Sequence, residues 1–211
     1  TVVGAMFEFQ SAWDAAAGQM AEAPHHRPPV HPVLYLKPAN TWCGQGDWVS
    51  LPAGVDEVEV GATLGIAFAR TASRVSEAQA LDFVAGYCLV NDVTVPHASL
   101  LRPPLKQKCR DGFCPVGPLV PAAQVGDPMR LVLRAGVDGV QTLQAPLATL
   151  RRSVARLIRD VSEFMSLAPG DLLLVGVPPQ APRARAGQTM WVEADGLGRL
   201  DNPLTAERGA A

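Results

Sequence analysis

Residues 86–118, GYCLVNDVTVPHASLLRPPLKQKCRDGFCPVGP, concentrate the residue types that could do chemistry. An apolar run at 87–90 ends abruptly in Asn91 and Asp92, and the stretch closes with Lys108, Arg110 and Asp111 ahead of a Gly-Phe-Cys-Pro turn. A carboxylate at the end of one strand and a lysine before a glycine turn on another can be aimed into one pocket. A lysine so placed adds positive charge where an anion develops on a substrate. The bland alternative is a pair of solvated surface charges, the usual fate of these residue types. The chain has only three lysines, Lys37, Lys106 and Lys108, and two of them fall in this stretch.

The order GY…ND followed by K-x-R-D-G-x-x-P-x-G-P resembles the fumarylacetoacetate hydrolase superfamily. Three further segments support it: LYLKPANTWCGQGDWVSLP at 34–52, ASRVSEAQALDFVAGY at 72–87 and VSEFMSLAPGDLLLVGVP at 161–178. Within the superfamily the chain is similar to the isomerase/decarboxylase of homoprotocatechuate (4-hydroxyphenylacetate) breakdown, in its N-terminal half or first subunit. The resemblance implies an α+β fold, a mixed β-sandwich or barrel roll of the fumarylacetoacetate hydrolase C-terminal domain type with two main flanking helices. It divides the chain into an N-terminal strand, helix and Pro-rich connector at 1–32 and the family domain at 33–211.

The resemblance also implies a site. Family members hold Mg²⁺ or Mn²⁺ with three carboxylates, and hard cations suit such oxygen ligands. The metal chelates a small 2-oxo dicarboxylate or tricarboxylate. Asp92 matches the third metal carboxylate and Lys108 the lysine that faces the substrate. Lys37 lies in the K-P segment that borders the site, and Val177 stands where the family's substrate-carboxylate loop carries a hydroxyl. Arg102 and Arg110 are candidate carboxylate clamps, with pairing to Asp111 or another neighbour as the structural alternative for Arg110, and a solvated surface position as that for Lys37. The Glu-x-Glu ligands of metal-dependent members correspond to Gly61 and Thr63, neither of which supplies an anionic oxygen. Glu57 and Glu59 have the right spacing four residues earlier, where they also read as a solvated edge-strand pair.

Three functions stay open. The chain could be an isomerase/decarboxylase, a ligand-depleted structural subunit beside an intact sister, or an acylpyruvate hydrolase. The hydrolase would need a water-activating base, and the N-terminal region has no equivalent of the family's His-Glu pair. His97 reads as a loop histidine with acid–base work as its alternative. A homodimer or an assembly with a paralogous subunit is expected by analogy.

Composition bounds these readings. With 211 residues, 48% of them hydrophobic, the chain can bury one sizeable core. A net charge of −2 lacks the basic excess that nucleic-acid or membrane-surface binding needs. Cys43, Cys88, Cys109 and Cys114 form no CxxC pair and read as free thiols, with a zinc pair at Cys109 and Cys114 as the alternative. No signal peptide or apolar membrane span is visible, so the expectation is a soluble, cytoplasmic protein.

The elements that must position these residues can be read along the chain. Alanine-rich residues 11–23 predict a helix with Ser11 as its cap. Four prolines then break regular structure across a connector carrying His25, His26 and His31. Residues 33–36 and 55–68 read as strands, and residues 76–87 as an amphipathic helix capped by Ser76. Residues 131–135 and 188–193 predict strands, with a hairpin turn at 137–140. Residues 149–164 predict a helix whose apolar face opposes a solvated row of Arg151, Arg152, Arg156 and Arg159. An apolar strand at 172–175 then leads into Val177.

Overall fold

The computed structural model describes residues 1–98 and 104–207. Among these residues, fifteen short strands and four α-helices form a mixed α+β domain built on two main sheets. The first sheet runs β2 (Val33–Lys37), β1 (Val2–Met6), β12 (Leu172–Leu174), β6 (Ala62–Phe68), β7 (Val84–Asn91) and β9 (Val120–Pro121). Its strands pair antiparallel except β1 with β12. The second runs β11 (Val140–Pro146), β10 (Val132–Val137), β14 (Thr189–Ala194), β15 (Gly198–Ala206) and β4 (Val49–Leu51).

The main core lies between the sheets, because alternate side chains of each strand point to one face. Tyr87 and Leu89 of β7 and Leu64 and Ile66 of β6 meet Leu133, Val192 and Leu200 from the second sheet. The intervening residues of β7 point the other way. Cys88 and Val90 join Val2, Leu174 and Cys114 in a smaller cluster on the outer face. With both faces covered, β7 is buried almost throughout, as its unbroken apolar run requires. Two ribbons complete the described strands: β3 (Trp42–Cys43) with β8 (Cys114–Pro115), which borders the outer cluster, and β5 (Val58–Glu59) with β13 (Arg183–Ala184), whose Val58 and Ala184 join the main core.

β1, the strand of the N-terminal segment 1–32, pairs in the interior of the first sheet, between β2 and β12. Several elements depart from their expected form. The first helix, α1 (Gln10–Ala21), starts after Phe9 without a side-chain cap, so Ser11 falls inside it. The strand expected at 55–68 is broken at Val60 and Gly61 into β5 and β6. Residues 77–83 form a 3₁₀ helix rather than the amphipathic α-helix expected to reach residue 87. Pairing of Val84 with Phe68 and of Tyr87 with Ile66 claims its last turn for β7. The longer helices are therefore α1 and α4 (Val154–Ser162).

α4 is capped by Ser153, which accepts from the Arg156 amide at 3.1 Å. Arg152, expected on a solvated face, is buried instead. It donates to Glu8 at 2.8 Å, Asp160 at 3.0 Å and the Val30 carbonyl at 2.6 Å, fastening α4 to the N-terminal segment and the connector. Arg151 lies over the Trp13 ring at 3.3 Å, and Arg159 pairs with Asp160. All four cysteines are free, with Cys88 and Cys114 buried and their thiols pushed up to about 12 by burial. No described helix is long and apolar enough to cross a membrane.

Candidate active site

Asp92 sits one residue past the end of β7 and is fully buried. The strand pairing extends to it through the Asp92 amide, which donates to the Gly61 carbonyl at 2.8 Å, while Asn91 Oδ1 accepts from the Gly61 amide at 2.9 Å. This approach needs glycine, since a Cβ on Gly61 would lie 2.3 Å from the Asp92 carbonyl oxygen.

Three side chains converge on the Asp92 carboxylate. Lys37, at the end of β2, places Nζ 2.8 Å from Oδ1. Lys108 closes the short helix α2 (Leu105–Lys108) and donates to Oδ2 at 2.6 Å. Tyr35, two residues before Lys37 and so on the same strand face, donates its hydroxyl proton to Oδ2. The Tyr35 ring can cross the sheet because its partner in β1 is Gly4, where a Cβ would fall 2.1 Å from the ring. That ring also lies under the Lys108 ammonium at 4.6 Å.

The two lysines differ in how their protons are used. Lys37 has none of its side chain exposed and donates to the carbonyls of Val93 at 3.0 Å, Lys108 at 2.8 Å and Phe113 at 2.7 Å. An ammonium has three N–H groups, so all are spent, and the contact with Oδ1 is a charge contact with no proton aimed along it. Oδ1 accordingly has no hydrogen-bond donor among the described residues. Lys108 donates to Asp92 and, at 2.8 Å, to Thr94 Oγ1. The Thr94 hydroxyl passes its own proton to the Asp92 carbonyl at 3.0 Å. Among the described residues, one Lys108 N–H is left over.

Burial alone would raise the Asp92 pKa, but the ammonium groups of Lys108 and Lys37 outweigh it and hold the carboxyl near 2. Burial lowers the pKa of Lys37 against the pull of Asp92. Tyr35 is pushed well above 10, by burial first and by the Asp92 charge second.

Lys108, Asp92, Tyr35 and Thr94 line one end of a cavity of about 500 Å³. The small side chains of Ala12, Ala15 and Ala16 on α1 form one wall, and the loop after β12, with Val177 and Pro178, forms another. Gly176 allows that loop its course at φ +97°, packed 2.8 Å (from a notional Cβ) against the Ala5 carbonyl of β1. His97, Gln19, Glu59 and Arg183 complete the rim.

The expected residues therefore separate into two groups. Asp92, Lys108 and Val177 share the cavity wall. Lys37 stands behind it, sealed from any ligand, which corrects its expected contact with substrate. Arg110 follows its structural alternative: it is not among the residues on the wall and turns its Nε to the carbonyl of a neighbour, Lys106, while Asp111 accepts from Asn40. Arg102 lies outside the described residues. Glu57 and Glu59 form ion pairs with Arg183, at 2.6 and 3.8 Å. Tyr35, Thr94, Gln19 and Arg183 are additions that sequence reasoning missed. Two of them could have been found, since Tyr35 precedes Lys37 by two and Thr94 follows Asp92 by two.

Residues 3–205 match the fumarylacetoacetate (FAA) hydrolase C-terminal family. The chain belongs to this family. It is 36% identical over 207 residues to the 4-hydroxyphenylacetate degradation bifunctional isomerase/decarboxylase of Salmonella dublin, a match covering 98% of the chain and 47% of that relative. The chain thus spans about half the length of the curated isomerase/decarboxylases it matches. Among solved structures it resembles the 2-hydroxyhepta-2,4-diene-1,7-dioate isomerase of Mycobacterium marinum, with a TM-score of 0.78 and 30% identity over 99% of this chain and 75% of that one. It also resembles the fumarylpyruvate hydrolase of Pseudomonas aeruginosa, a complex with Mn²⁺ and pyruvate, with a TM-score of 0.83 and 26% identity over 98% of this chain and 89% of that one.

The residues around Asp92 do not fit a divalent cation. Gly61 and Thr63, where the family's Glu-x-Glu would fall, bring no carboxylate, and Gly61 has no room for any side chain against Asp92. The Thr63 hydroxyl is buried without a partner among the described residues and is a neutral ligand at best. Asp92 itself is already neutralised by two ammonium groups. Among the described residues no three His, Cys, Asp or Glu side chains cluster as metal ligands would. The site instead presents a buried lysine, oriented by a carboxylate, to the cavity, which suits it to binding and stabilising an anion.

Proposed function

We propose that this chain is an isomerase/decarboxylase subunit of homoprotocatechuate catabolism, working in the cytoplasm. It would convert 5-carboxymethyl-2-oxo-hex-3-ene-1,7-dioate to 2-hydroxyhepta-2,4-diene-1,7-dioate with release of CO₂, and then isomerise that product. The observation that carries this reading is the spare N–H of Lys108, held on the cavity wall by Asp92 and Thr94. As the bond to the departing carboxylate breaks, its electron pair is delocalised onto the 2-oxo oxygen. The Lys108 ammonium stabilises that oxyanion, and a low-dielectric pocket strengthens the interaction. Asp92 holds the ammonium in place, while His97 on the wall carries the proton that isomerisation relocates. Arg183 at the rim takes the place of Arg110 as partner for a remote carboxylate, and Val177 and Pro178 pack on the carbon chain. The test is to assay the purified chain for CO₂ release and diene formation, alone and with any paralogous subunit encoded beside it. Absence of both products in both settings would end this reading.

A second reading, a non-catalytic subunit paired with an intact sister, is favoured by Gly61 and Thr63 and by the half-length match to curated relatives. It predicts that an assembly carrying Lys108→Met in this chain keeps full activity. Cleavage of fumarylpyruvate by the purified chain would point instead to hydrolysis.

A further inference from the structure

At the inner end of the cavity, Lys37 and Lys108 face the single carboxylate of Asp92, leaving one positive charge in excess in a buried place. Lys37 cannot turn toward a ligand, because its three protons are committed to the carbonyls of Val93, Lys108 and Phe113. It serves as a fixed internal cation that keeps Asp92 compensated from behind. Lys108 then holds Asp92 with one proton, Thr94 with another, and has a third for the cavity. Among the described residues the rim adds no net charge near this end, since Arg183 and Arg185 are matched by Glu57 and Glu59. An anion entering the cavity would restore balance to the trio, and buried charge is stable only when so paired.

We propose that this cavity binds the carboxylate or enolate end of a 2-oxo acid without a divalent metal, with Lys108 as the direct ligand and Lys37 as the permanent counter-charge. The inference deepens the proposed function and rests on it only for the class of ligand. Gly61 and Thr63 then read as parts of a site that has no use for anionic ligands. The close Gly61–Asp92 backbone contact draws β6 against Asp92 where a carboxylate side chain would otherwise project.

Titration of oxalate, a stable 2-oxo acid mimic, into the full chain by calorimetry tests this. The dissociation constant is expected to agree within about twofold in excess EDTA and in saturating Mg²⁺ or Mn²⁺, corrected for metal–oxalate complexes. Lys108→Met should weaken it about 10- to 100-fold, the span of a lost hydrogen bond to a charged group. Binding that vanishes in EDTA, binding unchanged in Lys108→Met, or no binding in any condition would each overturn the proposal. Should Lys108→Met fail to fold, the EDTA comparison on the unmodified chain still decides. Metal-free oxalate binding without turnover would leave this inference standing and remove the proposed reaction. Turnover that requires Mn²⁺ would do the reverse.

Discussion

Lys108 and Asp92 are close enough to be mistaken for one functional unit, yet their substitution should have different signatures. Lys108→Met leaves Asp92 paired with Lys37, so the fold should survive while kcat/KM for decarboxylation falls about 10²- to 10³-fold, as when a preorganised donor to an oxyanion is removed. Steady-state kinetics beside a thermal melt separates the two effects. Asp92→Asn strips both lysines of their counter-charge and should cost about 3–5 kcal/mol of stability, read as a lowered urea midpoint. The same carboxylate sets a pH dependence. Its pKa in the fold, near 2, is depressed from an ordinary 3.8, so its stabilisation is complete well above pH 3.8 and is lost as pH falls from there toward 2. Urea midpoints measured across that window should fall in the unmodified chain and lose this component in Asp92→Asn. At this scale the sequence revealed Asp92 and Lys108, because a charge closing an apolar run is conspicuous. Lys37 was misplaced for a physical reason: an apolar strand with a terminal lysine looks the same whether the ammonium meets water or three carbonyls brought from residues 93, 108 and 113.

Elements hold these groups through close backbone approaches and one buried arginine. Gly61→Ala would drive a methyl into the Asp92 carbonyl, and shifting β6 from β7 there should cost about 1–3 kcal/mol and weaken oxalate binding together. A melt and a titration on the same sample would show whether the losses move together. Arg152→Met removes the bond between α4, Glu8 and the connector and leaves the buried Glu8 carboxylate without its ion-pair partner, while Asp160 keeps only Arg159. A loss of about 3–5 kcal/mol is expected, with catalysis little changed in the folded fraction. The burial of Arg152 was not legible from a helical wheel, because Arg152 precedes the helix and Glu8 lies in a different part of the chain. The shortened helix at 77–83 has the same kind of cause. Its local sequence favours a helix, but residues 84–87 are worth more to the sheet as the start of β7. Strands β12 and β14 and the second half of β7 were legible because their mostly apolar runs carry the burial of both faces in their own residues.

The whole molecule exposes Leu36, Trp42, Trp48 and Leu105 around the β3–β8 ribbon, close behind the loop that carries Lys108. An exposed apolar patch of this kind is the surface on which a partner would be sought. Size-exclusion chromatography with light scattering should report a particle of about twice the chain's 22.3 kDa, or one containing a paralogous domain on co-expression. A stable monomer under both conditions would exclude the assembly. Trp48→Ser should reduce the paired fraction without lowering the melting temperature of the isolated domain.

The parallel pairing of β1 with β12 joins residues 2–4 to residues 172–174 inside the first sheet. A ribosome emits the former about 170 residues before the latter. Throughout that interval β1 can pair with β2 on one side only, leaving its other edge open while β6 also waits for the strand that will separate them. Such late closure raises contact order and slows folding, and an unsatisfied edge is the feature by which nascent chains find each other. Synthesis of this domain is therefore a period of exposure that ends only when residue 174 emerges, so its yield in cells should respond to translation rate and chaperone supply more than to its final stability.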